Sequence, residues 1–154
     1  MAPNPKVDAL NLNDVARRAA EALLQAHPTV VFTSGRRSIN DQARAMAGNV
    51  AQNRKFIVQT YGSVAERDEL QKWVDDHPEA NTSAAIAAGL EGVMNAWPAE
   101  RQLRISRHLV GAAFDVQPVE QNAAAIIATI KSLPNLRKFI DKEGGLTRWH
   151  ADFE

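Results

Sequence analysis

The chain has 154 residues, 45% hydrophobic and 23% charged, which suits one domain with a sizeable core. Its 18 Lys and Arg balance 18 Asp and Glu, so no bulk field draws it to nucleic acid or to an anionic membrane. Cysteine is absent, which excludes disulfides, thiolate metal sites and a cysteine nucleophile and leaves the redox compartment open.

Residues 1–8 are polar and carry prolines, without the apolar core of a signal peptide. No apolar run approaches the roughly 18 residues of a membrane span. Asn13 can cap a helix running to about residue 25, with Val15, Ala19, Leu23 and Leu24 at helical spacing and His27-Pro28 at its end. Residues 29–33 are β-branched and apolar, which predicts a buried strand. Ser38 reads as the cap of a helix over 39–50, with Gln42 on its first turns. Phe56, Ile57 and Tyr61 suggest a short helix, and 66–74 a second, closed by His77-Pro78. Residues 82–97 form an alanine-rich helix whose buried stripe is Ile86, Leu90, Val93, Met94 and Trp97, although Gly89 and Gly92 weaken the pattern. Pro98 ends it. Residues 104–106 and 113–116 read as strands flanking a turn at His108. A helix over 120–132, a short helix over 135–140, a break at Gly144-Gly145 and a last strand over 146–153 complete the chain. Helices that precede and punctuate a few strands predict an α+β fold, several helices on a small, mostly antiparallel sheet. No repeat or linker divides it, so a single domain over 1–154 is expected.

The chemistry concentrates in Ser106-Arg107-His108-Leu109-Val110-Gly111-Ala112-Ala113-Phe114-Asp115 and in Trp149-His150. Two imidazoles and a carboxylate fill three corners of a tetrahedron around zinc and leave the fourth to water. Gly111 lets the chain turn and re-enter a buried strand, delivering Asp115 beside His108. A carboxylate inside Ala112-Ala113-Phe114-Asp115-Val116 needs a cation, a donor or a metal. His27 and His77 each precede proline at a helix end, where the helix dipole accounts for them. Trp149 is expected as wall and packing for the site, Trp73 and Trp97 as core. Arg36 and Arg37 follow a predicted buried strand and a glycine, which aims one of them into a cleft, where a guanidinium can bind a carboxylate or an oxyanion.

The pattern Ser106, His108, Gly111, Ala113 and Asp115 with a late Trp149-His150 resembles the zinc D-Ala-D-Ala carboxypeptidase and L-Ala-D-Glu endopeptidase family. Its members cleave the stem peptides of bacterial cell walls and include phage endolysins. Ser34-Gly35-Arg36-Arg37-Ser38 followed by Gln42 resembles a further stretch of that family, and the three pieces come in its order across most of the chain. The resemblance implies a zinc peptidase acting on peptidoglycan stem peptides. His108, Asp115 and His150 would be its metal ligands and Arg37 its catalytic arginine, while Ser106 and Gln42 would contact substrate.

Two positions depart from the family. Arg36 stands where it has an aromatic residue. Thr147 stands three residues before His150, where it has the Glu or Asp that acts as general base. Asp152, Glu143, Glu154 and the chain's terminal carboxylate are the candidates to replace that base. If none does, the chain is a catalytically impaired relative that keeps zinc and binds cell wall or another protein. A monomer is expected, with no nucleic-acid partner and no membrane insertion. With no signal peptide, the protein would stay in the cytoplasm until released to the wall, in a phage lysis or virion setting.

Overall fold

The structure, a computed structural model, describes residues 4–143 and 146–154. The expected break at Gly144-Gly145 lies outside them. Three of the longer helices begin where a short polar side chain takes a backbone N–H that the first turn leaves unpaired. Asn13 Oδ1 accepts from Ala16 N at 2.9 Å, Ser38 Oγ from Asp41 N at 3.1 Å and Thr82 Oγ1 from Ala85 N at 3.2 Å.

In chain order the elements are α1 (Pro5–Asp8), α2 (Asp14–Ala26), β1 (Phe32–Ser34), α3 (Ile39–Val50), α4 (Phe56–Thr60) and α5 (Ala65–Asp76). There follow α6 (Ser83–Asn95), α7 (Ala99–Ile105), a 3-10 turn (Arg107–Val110), β2 (Ala113–Val116), α8 (Ala123–Lys131), β3 (Leu136–Glu143) and β4 (Leu146–Phe153). The fold is α+β, as expected. Among the described residues, four strands form an open antiparallel sheet in the order β1-β2-β4-β3. Among the described residues, no helix is long and apolar enough to cross a membrane.

The chain divides into two compact units, one of residues 1–36 and 110–154, the other of the continuous stretch 37–109. Neither crossing has a linker composition. The chain leaves the first unit directly behind β1 and returns inside the 3-10 turn, which is why the sequence reads as one piece.

In the first unit the sheet carries its core on one face. Strand alternation puts Phe114, Val116, Trp149, Ala151 and Phe153 together, buried with Leu23, Ile126 and Ile130. Phe114 meets Phe32 edge-on at 5.2 Å between centroids and Phe153 at 5.4 Å. Each large apolar side chain buried this way contributes about 1.5–3 kcal/mol. The alternate residues, Asp115, His150 and Asp152, fall on the other face.

Two expectations change in this unit. Residues 135–140 begin a strand, β3, where a short helix was predicted. A register shift between Leu136 and Lys138 sets Arg137 and Lys138 together against Asp152, a β-bulge. Leu136 and Phe139 therefore both pack on the core although three residues apart, a spacing that imitates a helix. The strand predicted over 29–33 starts later, at Phe32. Val30 is buried, but Val31 is 56% exposed.

In the second unit α3 to α7 enclose a separate core that includes Met46, Ile57, Leu70, Ile86, Leu90, Met94 and Trp97. Gly89 belongs in α6 because the Trp73 ring lies over it, and a Cβ there would stand 1.9 Å from Trp73 Cζ2. Residues 104–106, predicted as a strand, contain the end of α7 instead. Pro98 does end one helix, but it also sits at the cap of the next, with Glu100 in the first turn. Buried Glu66 is paired with Arg101 Nε at 2.9 Å.

Candidate metal centre

β2 and β4 pair with Asp115 directly opposite His150. His150 Nδ1 lies 3.0 Å from Asp115 Oδ1. The register is set by burial, because a slip of one residue on β4 would bring Trp149 to the polar face and His150 into the core. His108 sits on the 3-10 turn and is buried. Gly111, at φ +71°, then turns the chain into β2 as the sequence suggested.

The structure brings the three predicted ligands together. One ligand atom each from His108, Asp115 and His150 lies within 4.8 Å of the others, so this group can hold a metal ion. Two imidazole nitrogens and a carboxylate oxygen suit zinc and other first-row divalent cations. Ser34, paired with Asp115 across β1 and β2, has a buried Oγ with no hydrogen-bond partner among the described residues, a further polar atom beside the same strand pair.

His150 is held on both sides. Its Nε2 lies 2.9 Å from Asp152 Oδ2. Arg137 donates to the same carboxylate, Nε to Oδ1 at 2.8 Å and an Nη to Oδ2 at 3.4 Å. Burial alone would lower the His150 pKa, but the hydrogen bonds and charges of Asp115 and Asp152 outweigh it and push the value up to about 9. For Asp152 burial works upward, and His150 and Arg137 together hold the carboxyl below its usual range. Asp152, named from the sequence as a candidate general base, is thus engaged by two partners and is a weak base. Glu154 is exposed, and the Glu143 side chain lies outside the described residues. Arg137 carried no signal in the sequence, because only the bulge in β3 makes its position meaningful.

Arg37, Gln42 and Ser106 all lie in the second unit. Arg37 donates from an Nη to Gln42 Oε1 at 3.3 Å, and buried Gln42 donates from Nε2 to Tyr61 Oη at 3.1 Å. The Arg37 backbone N–H bonds His108 O at 2.9 Å, and Ser106 Oγ accepts from His108 N at 3.2 Å. Arg37, Gln42 and Ser106 are therefore tied to one another or to His108. Gln42 orients the guanidinium, and Ser106 steadies the turn. Arg36 is exposed, with Nε donating to Asn11 O at 2.9 Å.

Thr147 is exposed on β4 and lines a cavity of about 340 Å³ with Asp115, Arg148 and Trp149. Trp149 thus combines core packing with a share of this wall. His27 Nε2 bonds Thr129 Oγ1 at 2.9 Å, and His77 Nδ1 donates to Trp73 O at 2.7 Å, so both histidines are engaged at helix ends.

Comparison with protein-family models, with curated proteins and with solved structures gave no match.

Proposed function

We propose that the protein is a zinc-dependent peptidase of the cell-wall type, acting on peptidoglycan stem peptides. The convergence of His108, Asp115 and His150 carries the reading, because His150 on β4 joins a pair, on the 3-10 turn and on β2, that lies far earlier in the sequence. An open three-ligand set is the pattern of a catalytic site, whereas structural zinc takes four protein ligands. When bound there, zinc would lower the pKa of a water and polarise the scissile carbonyl.

This chain's own residues supply the rest. Arg37, steadied by Gln42, binds a substrate carboxylate or the charge that grows on the attacked carbonyl oxygen. Thr147 cannot take a proton near neutral pH, and Asp152 is engaged and acidic. Without a base at that position the rate falls about a hundred- to ten-thousand-fold below that of a complete site. The same observation favours a second reading, a catalytically impaired relative that keeps the metal and binds the wall. Either activity belongs at the cell wall, reached by release in a phage lysis or virion setting.

The test is digestion of purified peptidoglycan by zinc-loaded protein, with released fragments read by mass spectrometry and His150→Ala as control. Fragments seen only with the intact protein support the peptidase and identify the bond. Co-sedimentation with the wall and no release supports the binding module. Neither binding nor release contradicts both.

A further inference from the structure

We propose that Asp152, braced by Arg137, is the positioning carboxylate of the metal centre, fixing the ring of His150 so that the nitrogen beside Asp115 is presented to the ion. The inference rests on the metal-binding part of the reading above and goes beyond it, since neither residue is needed to fill the ligand set.

An imidazole has two nitrogens and a broad, two-fold preference about its outer torsion, so a ligand histidine needs something to choose which nitrogen faces the ion. On His150 the two are told apart by their neighbours. Nδ1 faces Asp115, itself in the ligand group, at 3.0 Å, while Nε2 faces Asp152, outside that group, at 2.9 Å. An outer N–H donated to a carboxylate fixes ring orientation and raises ligand basicity.

Asp152 can do this because it is itself held. It is 3% exposed, and a buried carboxylate stays only if it is paired. Arg137 reaches both of its oxygens, 2.8 Å and 3.4 Å away, which stops the carboxylate from turning off His150. The bulge in β3 serves this arrangement. It keeps Arg137 on the face of Asp152 while returning Phe139 to the core side opposite Ala151. A regular ladder would place Arg137 and Phe139 on one face and lose either the brace or the core contact.

The test is zinc affinity, measured by competition with a chromophoric chelator, together with imidazole proton–nitrogen correlation spectra of the zinc-loaded protein. Asp152→Ala weakens zinc about ten- to a hundredfold, and Asp152→Asn, which keeps an accepting oxygen, weakens it less. Arg137→Ala weakens it too, and Arg137→Lys recovers part of the loss. In the zinc-loaded wild type the Nε2 proton of His150 is present and hydrogen-bonded, and Asp152→Ala abolishes that signature. A folded Asp152→Ala protein with wild-type zinc affinity and an unchanged spectrum overturns the proposal, because a merely structural aspartate would move only the melting temperature. Should Asp152→Ala fail to fold, the wild-type spectrum decides: a proton on Nε2 supports the proposal and a bare Nε2 overturns it. A wild type that takes up no zinc overturns the metal reading itself, which keeps the two failures distinct.

Discussion

Asp115 and His150 are 35 residues apart in sequence yet stand directly opposite each other on β2 and β4, with Oδ1 and Nδ1 3.0 Å apart. The sheet face that excludes Trp149 and Phe114 from water thereby sets an imidazole and a carboxylate together on its polar side. Chemistry here follows from register, and register follows from burial.

The first prediction concerns pH. In metal-free protein, His150 has a folded pKa of about 9 against an ordinary 6.5. A raised folded value means the stabilisation is complete below about pH 6.5 and is lost as pH climbs toward 9, a swing on the order of 3 kcal/mol. Thermal melts in chelator should therefore show a melting temperature that falls across that window. His150→Gln should flatten the curve. Zinc requires the neutral ring, so uptake at pH 7 should release a proton, seen as a dependence of the binding enthalpy on the buffer's ionisation enthalpy.

Gly111 should resist substitution. Its φ is +71°, and an added Cβ would stand 2.8 Å from an Arg36 Nη and 3.0 Å from Asn11 O. Gly111→Ala should cost about 2–4 kcal/mol, combining the left-handed penalty with crowding against the Asn11 backbone oxygen. A lower urea midpoint with an unchanged slope is the expected result. Zinc affinity should fall with it, because this turn leads from His108 into the strand of Asp115.

How much of this was legible in the sequence depended on whether a signal was local. The caps Asn13, Ser38 and Thr82 act on backbone three residues away, and the helices they open were read within a residue or two. The three candidate ligands were legible because their residue types and the glycine between the first two carry the chemistry wherever the chain goes. β3 was misread because its bulge sets Leu136 and Phe139 on one side at a helical spacing. The same bulge hid Arg137, whose partner Asp152 is 15 residues away. Asp152 was noticed for its place two residues beyond His150, but its role was not, since a strand's parity says which face a side chain takes and not what waits there.

Arg37 should matter to turnover more than to folding. It is half-buried and bonded to Gln42, with its backbone N–H on His108 O. Arg37→Ala keeps that backbone bond and removes the guanidinium, so release of stem-peptide fragments should fall about a hundred- to a thousandfold, as for loss of one oxyanion donor, while the melting temperature moves little. Arg37→Lys should restore only part, because an ammonium lacks the planar fork. A large loss of stability with unchanged release per folded molecule would count against this role.

The most direct measurement is an equilibrium zinc titration of the wild type beside His108→Ala, Asp115→Asn and His150→Ala, each first shown to be folded. One zinc per chain is expected in the wild type and loss of that site in every variant, because the three candidate ligand atoms lie within 4.8 Å of one another. A wild type that binds no zinc, or variants that bind it as the wild type does, would contradict it.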